Sequence, residues 1–283
     1  MNGKVVVITG ATSGIGQVGA ERLAGMGARI VQIARDRARG EAALARLQTI
    51  GPGVEHAVHY ADLSVMSEMK RVATEIAAAE ARIDVLINNA GAMFNRRYET
   101  ADGLELTFAL NHVAYFVITS GLLERLRDSV PARIVSTASD AHKMGRLNFD
   151  DLQSVKVKTG FKVYGTSKLC NILFTRELAR RLAGTGVTAN CLHPGFVATR
   201  FGDATGGLMS FGIGIAKRFA LTLEEGAKTL VFLASSAEVA GVSGEYFNEC
   251  RATAPSAAAK KDAAVQRLWE KTAELAFDTM AKT

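Results

Sequence analysis

The constraint that most narrows the fold lies near the start of the chain. Lys4-Val5-Val6-Val7-Ile8-Thr9 is a continuous β-branched run, the pattern of a parallel strand buried on both faces. Gly10-Ala11-Thr12-Ser13-Gly14-Ile15-Gly16 follows at once, and helical spacing then runs to about Met26 before Gly27. A strand, a glycine-rich turn and a helix N-terminus in that order make an anion site, because backbone N–H groups and the helix dipole converge on the ligand. Tight turns also use glycine, but the flanking strand and helix favour a pyrophosphate held by Gly10, Thr12, Ser13, Gly14, Ile15 and Gly16.

The same alternation repeats. Strand-like runs lie at 28–33, 54–60, 83–88, 133–137, 187–192 and, more weakly, 244–248, with helical patterns at 38–48, 65–81, 102–127, 162–183 and 223–236. Strands separated by helices imply right-handed crossovers, so the expectation is one α/β domain over 1–283: a doubly wound, seven-stranded parallel sheet with helices on both faces, a Rossmann fold. Three segments stand outside the alternation. Residues 140–161 form a polar insertion, 195–222 have the glycine, Phe and Leu content of a substrate lid, and 257–280 reads as a closing amphipathic helix.

Thirty-four Lys and Arg against 28 Asp and Glu give a formal net charge of +6, without a basic run. That suits anionic small ligands and excludes a nucleic-acid footprint. Cys170, Cys191 and Cys250, without a C-x-x-C, fit a reduced, cytoplasmic setting. No leader precedes Lys4 and no apolar run is read as bilayer-length, so no membrane span is expected. The five histidines lack ligand spacing, and no metal is expected.

The second strand ends Ile33-Ala34-Arg35. An acid there would hold the ribose 2′-OH of NAD; its absence, with a guanidinium next in line, favours NADP(H) over NAD(H). The competing reading is a solvated Arg35 paired with Asp36. Asp62 and Leu63 after the third strand are placed to meet the adenine, although Asp62 could equally serve a helix N-terminus. Asn88-Asn89-Ala90-Gly91 ends the fourth strand at the edge where such sheets bind ligands, capping the strand and lining the groove. Tyr164 and Lys168 stand one helical turn apart, a spacing in which an ammonium can favour the phenolate and ready it for proton transfer. On its own the spacing is also common on solvated helix faces.

Taken jointly, Thr9-Gly10-x-x-x-Gly14-x-Gly16, Asn88-Asn89-Ala90-Gly91, Asn111, Ser139, Tyr164-x-x-x-Lys168 and Pro194-Gly195 resemble the short-chain dehydrogenases/reductases over nearly the whole chain. Ala34-Arg35-Asp36, Asn111-His112, Ser167-Lys168-x-x-Asn171 and His193-Pro194-Gly195 are similar to the retinol-dehydrogenase-like branch. Ser136 and Ala138 depart from the Asn-x-Ser-Ser that many members carry there, while the register still places Ser139 in the active position.

The resemblance implies that Ser139 holds the substrate oxygen, Tyr164 exchanges the proton, Lys168 lowers the tyrosine pKa and bonds the nicotinamide ribose, and Asn111 holds a water. Pro194, Gly195, Val197 and Thr199 would turn past the carboxamide. The implied activity is interconversion of an apolar alcohol with its aldehyde or ketone, with homo-oligomers pairing through the helices of Asn111 and Tyr164. Retinoid-oxidising members are often membrane-anchored, which sets this chain's missing leader apart. An NAD(P)-dependent epimerase or dehydratase would space the glycines G-x-x-G-x-x-G. A non-catalytic dinucleotide sensor would typically lack the Tyr or the Lys.

Overall fold

The computed structural model describes residues 1–157, 159–196 and 221–277. Its sheet has the strands β1 (Val5–Thr9), β2 (Arg29–Ala34), β3 (Ala57–Tyr60), β4 (Val85–Asn88), β5 (Ala132–Thr137), β6 (Val187–His193), β7 (Tyr246–Asn248) and β8 (Arg251–Ala252), ordered β3-β2-β1-β4-β5-β6-β7-β8. The first seven run parallel, and the alternating β-branched side chains of β1 explain why. Val6 and Ile8 enter one core while Val5 and Val7 enter the other, so the strand needs helices on both faces.

One face carries α1 (Gly14–Gly25), α2 (Arg37–Ile50) and α6 (Leu223–Ser235), through Leu23, Leu47 and Leu230. The other carries α3 (Met66–Ala79), α4 (Leu106–Arg127), α5 (Gly160–Arg181) and the C-terminal α7 (Asp262–Phe277). Between β1 and β4 the winding reverses, and this switch point opens a crevice at the carboxyl edge.

Four expectations need adjusting. The sheet has eight strands among the described residues, because β8 returns antiparallel on β7 with Phe247 opposite Ala252. Its two-residue turn holds Glu249 and Cys250 at φ 49 and 60, conformations that Gly or Asn usually signal. The 102–127 helix begins at Leu106 and widens into a π turn at Ala109–Val113. It is also long and apolar enough to cross a bilayer, but 72% of its apolar window is buried inside the protein, where it serves as a core helix. Finally, the tail makes a 3-10 turn at Ala257–Lys260 before α7. Residues 197–220, nearly all of the expected lid, lie outside the described residues.

Helix α7 lies across α4 and α5. Trp269 stacks on Phe174 at 5.9 Å and meets Phe116 edge-on at 4.8 Å, while Arg181 sits 4.5 Å over its ring. The chain's own C-terminal helix thus packs its aromatic side on α4 and α5.

Candidate active site

The crevice collects side chains from four strand ends. Thr9 closes β1, and its Oγ1 accepts from the N–H groups of Asn89 and Ala90, both at 2.9 Å. Asn89 Nδ2 donates back to the carbonyls of Thr9 and Gly10 at 3.2 and 3.3 Å. The glycine turn thus packs directly on the end of β4. A Cβ on Gly16 would lie 2.3 Å from both Asn89 Nδ2 and the Gly10 oxygen, and one on Gly10 would lie 2.9 Å from Ala90 Cα. The glycines at 10 and 16 are required first by this close approach.

The cradle left above them fits a dinucleotide pyrophosphate. Gly10 and Gly14 hold φ of +71 and +61, α1 has no acid in its first turn, and its N-cap Ser13 makes no side-chain cap bond. Backbone donors at Thr12, Ser13, Gly14 and Ile15 are thus available to an anion. At the end of β2, Asp36 accepts from Arg39 N at 2.8 Å as the N-cap of α2, so it does not pair with Arg35. Arg35 is exposed, and Arg37 stacks over Tyr60 at 4.5 Å. Asp62 Oδ1 accepts from Ser64 N at 2.9 Å and Ser64 Oγ at 2.7 Å, a local turn with Leu63 buried beside it. Neither of its oxygens caps α3, whose N-cap is Val65.

Ser139 lies just beyond β5 and caps the 3-10 turn Asp140–Met144, accepting from Ala141 N at 3.2 Å. This turn packs closely on α5, since a Cβ on Gly165 would meet the Ala141 oxygen at 2.7 Å. Ser139 thereby stands close enough to Tyr164 for its side chain to lower the phenol pKa. Burial outweighs that effect and pushes the Tyr164 phenol up. Lys168 Nζ lies 5.6 Å from the Tyr164 ring centre and 5.8 Å from that of Tyr115, and donates to the Thr137 oxygen at 2.8 Å. Burial pushes it down to about 7. Burial therefore dominates both groups, where the helical spacing alone suggested a lowered phenol.

Asn111 sits in the π turn of α4, wholly buried. Its Nδ2 donates to Ala92 O at 3.0 Å and Ser167 Oγ at 2.9 Å, while Oδ1 accepts from Ala92 N at 2.9 Å. Ser167 Oγ in turn donates to Tyr164 O at 2.7 Å. Both amide hydrogens of Asn111 are thus spent on aligning the β4 loop with the Tyr164 turn. Gly91 completes the floor, its absent Cβ lying 3.0 Å from Asn111 Oδ1 and 3.5 Å from Lys168 Nζ.

The structure brings Gly91, Asn111, Ser139, Tyr164 and Lys168 to one end of the sheet. Pro194 and Gly195 follow β6 there, Gly195 at φ +83; Val197 and Thr199 lie outside the described residues.

The sequence profile of the short chain dehydrogenases matches residues 4–206. The chain belongs to that family. This short chain dehydrogenase is 41% identical to human (Homo sapiens) retinol dehydrogenase 14 over 289 residues, covering 95% of this chain and 85% of that protein. Retinol dehydrogenase 12 of Mus musculus is 40% identical over 273 residues, covering 96% and 86%. Among solved structures, the NADP active-site complex of RhlG from Pseudomonas aeruginosa has a TM-score of 0.71 at 28% identity, covering 87% of this chain and 94% of that one. A short chain dehydrogenase from Burkholderia cenocepacia J2315 in complex with NADP has a TM-score of 0.69 at 25% identity, covering 87% and 96%.

Several supporting residues of this dehydrogenase carry no local sequence signal. Thr137 donates its hydroxyl to Asn89 Oδ1 at 3.2 Å while its carbonyl holds Lys168. His142 accepts from Ser256 N through Nε2 at 3.0 Å, so Nδ1 carries the hydrogen and donates to Ser139 O at 2.8 Å. Their partners are distant in sequence; only the hydroxyl residues at strand ends hint at them. Among the described residues, no group of three or more His, Cys, Asp or Glu is arranged to hold a metal ion.

Proposed function

We propose that this chain is an NADP(H)-dependent oxidoreductase interconverting an apolar alcohol and its aldehyde or ketone. The observation that carries the reading is the gathering of Ser139, Tyr164 and buried Lys168 at one sheet edge, with Lys168 Nζ 5.6 Å from the Tyr164 ring centre and 3.5 Å from where a Cβ on Gly91 would lie. NAD(P)(H) would be held by the backbone from Thr12 to Ile15, by Asp62, Leu63, Asn89, Ala90 and Gly91, by Lys168, and by Pro194, Gly195, Val197 and Thr199. When bound, the nicotinamide supplies or accepts the hydride.

The protein's part is to hold the substrate oxygen and move its proton. Ser139 Oγ orients that oxygen while Tyr164 gives a proton to the forming alkoxide, or takes one from the alcohol. The high pKa that burial gives Tyr164 keeps the phenol protonated, ready to donate in the reducing direction. Lys168, anchored on Thr137 O, can carry either protonation state near neutrality and so replenish Tyr164.

Two further observations support the cofactor and substrate class proposed. Arg35 is unpaired among the described residues and no acid stands in its place, which suits a 2′-phosphate; the solved neighbours in complex with NADP support a nicotinamide dinucleotide at this site. Exposed Met144 (57%), Phe161 (42%) and Phe196 (55%) lie within a few residues of Ser139, Tyr164 and Gly195 in the chain, an apolar character that suits a hydrophobic substrate. The names of the retinol dehydrogenase relatives are consistent with such an alcohol. The three cysteines are free, which supports a reducing, cytoplasmic setting.

The test is a panel of aldehydes, ketones and alcohols followed by nicotinamide absorbance with each cofactor. Tyr164→Phe should lower turnover by at least about 100-fold while cofactor affinity stays within a few-fold. Undiminished turnover would remove Tyr164 from the reaction.

A further inference from the structure

A second polar layer lies behind Lys168, in the otherwise apolar core between α4, α5 and α7. The Thr137 carbonyl that receives Lys168 Nζ at 2.8 Å also receives Asn171 Nδ2 at 3.2 Å. Asn171 is one turn beyond Lys168 on α5 and has no solvent exposure. Next to it stands His112, 1% exposed, whose pKa burial drives down to about 3 while the neighbouring Asn171 side chain acts in the opposite sense. His112 Nε2 lies 2.9 Å from Thr272 Oγ1 on α7. Thr272 donates its own hydrogen to Leu268 O at 2.8 Å, so it accepts from His112, and the neutral ring carries its hydrogen on Nε2.

That assignment leaves His112 Nδ1 and Asn171 Oδ1 as buried acceptors without partners among the described residues. Each such atom costs about 1–3 kcal/mol, and an apolar pair would close the same space without that cost. The layer therefore weakens the core, and among the described residues it meets Lys168 at the shared Thr137 carbonyl. We propose that Asn171 and His112 are positioning residues for Lys168, acting through the Thr137 carbonyl and locked by Thr272 of the C-terminal helix. Asn171 fixes the carbonyl's direction and shares its electron density; His112 and Thr272 fix the Asn171 rotamer. The C-terminal helix thereby takes part in positioning Lys168 through Thr272. The titratable groups facing Lys168 are the phenols of Tyr164 on α5 and Tyr115 on α4.

The inference rests on the role given above to Lys168, and the experiment separates the two. The protein is labelled with 15N at lysine side chains, the Lys168 resonance is identified by its loss in Lys168→Met, and its titration is followed by NMR. Turnover of decanal with NADPH is measured alongside. Asn171→Leu should leave the carbonyl wholly to Lys168, raising its proton affinity by about threefold and lowering kcat about tenfold. Thr272→Val, which deletes one hydroxyl and guards against a failure of Asn171→Leu to fold, should shift both in the same sense by about twofold. His112→Gln, which keeps a donor towards Thr272, should recover activity lost in His112→Leu. If Asn171→Leu and Thr272→Val lower Tm yet leave the Lys168 titration and kcat unmoved, the layer is purely structural and the proposal is overturned. Retained turnover in Lys168→Met would instead defeat the catalytic reading of Lys168, with the NMR titration still deciding the positioning.

Discussion

The Tyr246 hydroxyl donates a 2.8 Å hydrogen bond to Asp140 Oδ1, tying β7 to the residue that follows Ser139. Asp140 also pairs with Lys143 at 2.8 Å, and its N–H donates to His193 Nδ1 at 3.3 Å. Burial pushes the Asp140 carboxyl up, but the bonds from Lys143 and Tyr246 outweigh it and hold the acid below its ordinary range. Burial and the same carboxylate push the Tyr246 phenol far up, so it remains a donor at any working pH. Tyr246→Phe should loosen the turn that aims Ser139. The expected outcome is a three- to tenfold loss of kcat with a Tm fall of about 5 °C, from the roughly 1.5–3 kcal/mol that a bond to a charged group contributes. Steady-state kinetics and thermal melts check it; an unchanged kcat would mean the turn holds without β7.

Arg35 tests the cofactor assignment. Because Asp36 is committed to the N-cap of α2, Arg35 has no competing carboxylate beside it. Arg35→Asp puts an acid where a ribose hydroxyl would welcome it and a phosphate would be repelled. The ratio of kcat/KM for NADPH over NADH should fall by about 30- to 100-fold, the worth of a charge-assisted contact plus the new repulsion. A ratio that does not move would place the 2′-position away from this residue.

The glycine cradle offers a contrast in sign. A methyl on Gly16 would meet the Gly10 oxygen and Asn89 Nδ2 at 2.3 Å, so Gly16→Ala must pry the turn from β4. It should destabilise by about 3 kcal/mol and weaken dinucleotide binding together. Gly25, at the other end of α1, would meet only Ile50 Cγ2 at an ordinary 3.6 Å. Gly25→Ala should therefore stabilise by about 0.5–1 kcal/mol through helix propensity and a stiffer unfolded chain. Equal effects in chemical denaturation would contradict the close approach at Gly16.

These examples also show what a sequence can and cannot display. β1 is readable because a strand buried on both faces needs an unbroken apolar run, and the glycine turn because its conformations admit few residues. Ser139, Tyr164 and Lys168 are readable through a joint motif. β8 is not, since Glu249 and Cys250 take positive φ without the usual turn residues. The π turn that buries Asn111 has no local mark either. Tyr246 and Asp140 are 106 residues apart, and His112 and Thr272 are 160 apart. Each of these polar residues looks ordinary alone; only the fold supplies the partner that gives it a task.

Tyr115 carries a fourth prediction. Its hydroxyl is wholly buried without a hydrogen-bond partner among the described residues, and burial pushes its pKa well up. Tyr115→Phe removes an unsatisfied group yet keeps the ring beneath Lys168. Stability should rise by about 1 kcal/mol, with kcat within twofold. A loss of stability would show that the hydroxyl has a partner in solution.

Buried His112 makes a pH test. Burial pushes His112 down to about 3, so it stays neutral in the folded protein where the unfolded chain has an ordinary imidazole near 6.5. Between those values the unfolded state binds a proton that the folded state refuses. Stability therefore falls as pH drops below about 6.5, and by pH 5 the His112 share reaches about 2 kcal/mol. His112→Gln removes that share alone, since His56, His142 and His193, all lowered chiefly by burial, remain in the variant. The free-energy gap between parent and variant, from urea unfolding at pH 7 and pH 5, should thus close by about 2 kcal/mol in the variant's favour. A gap independent of pH would mean that the folded protein admits a proton to His112, and the neutral, Nε2-protonated ring bonded to Thr272 would have to be abandoned.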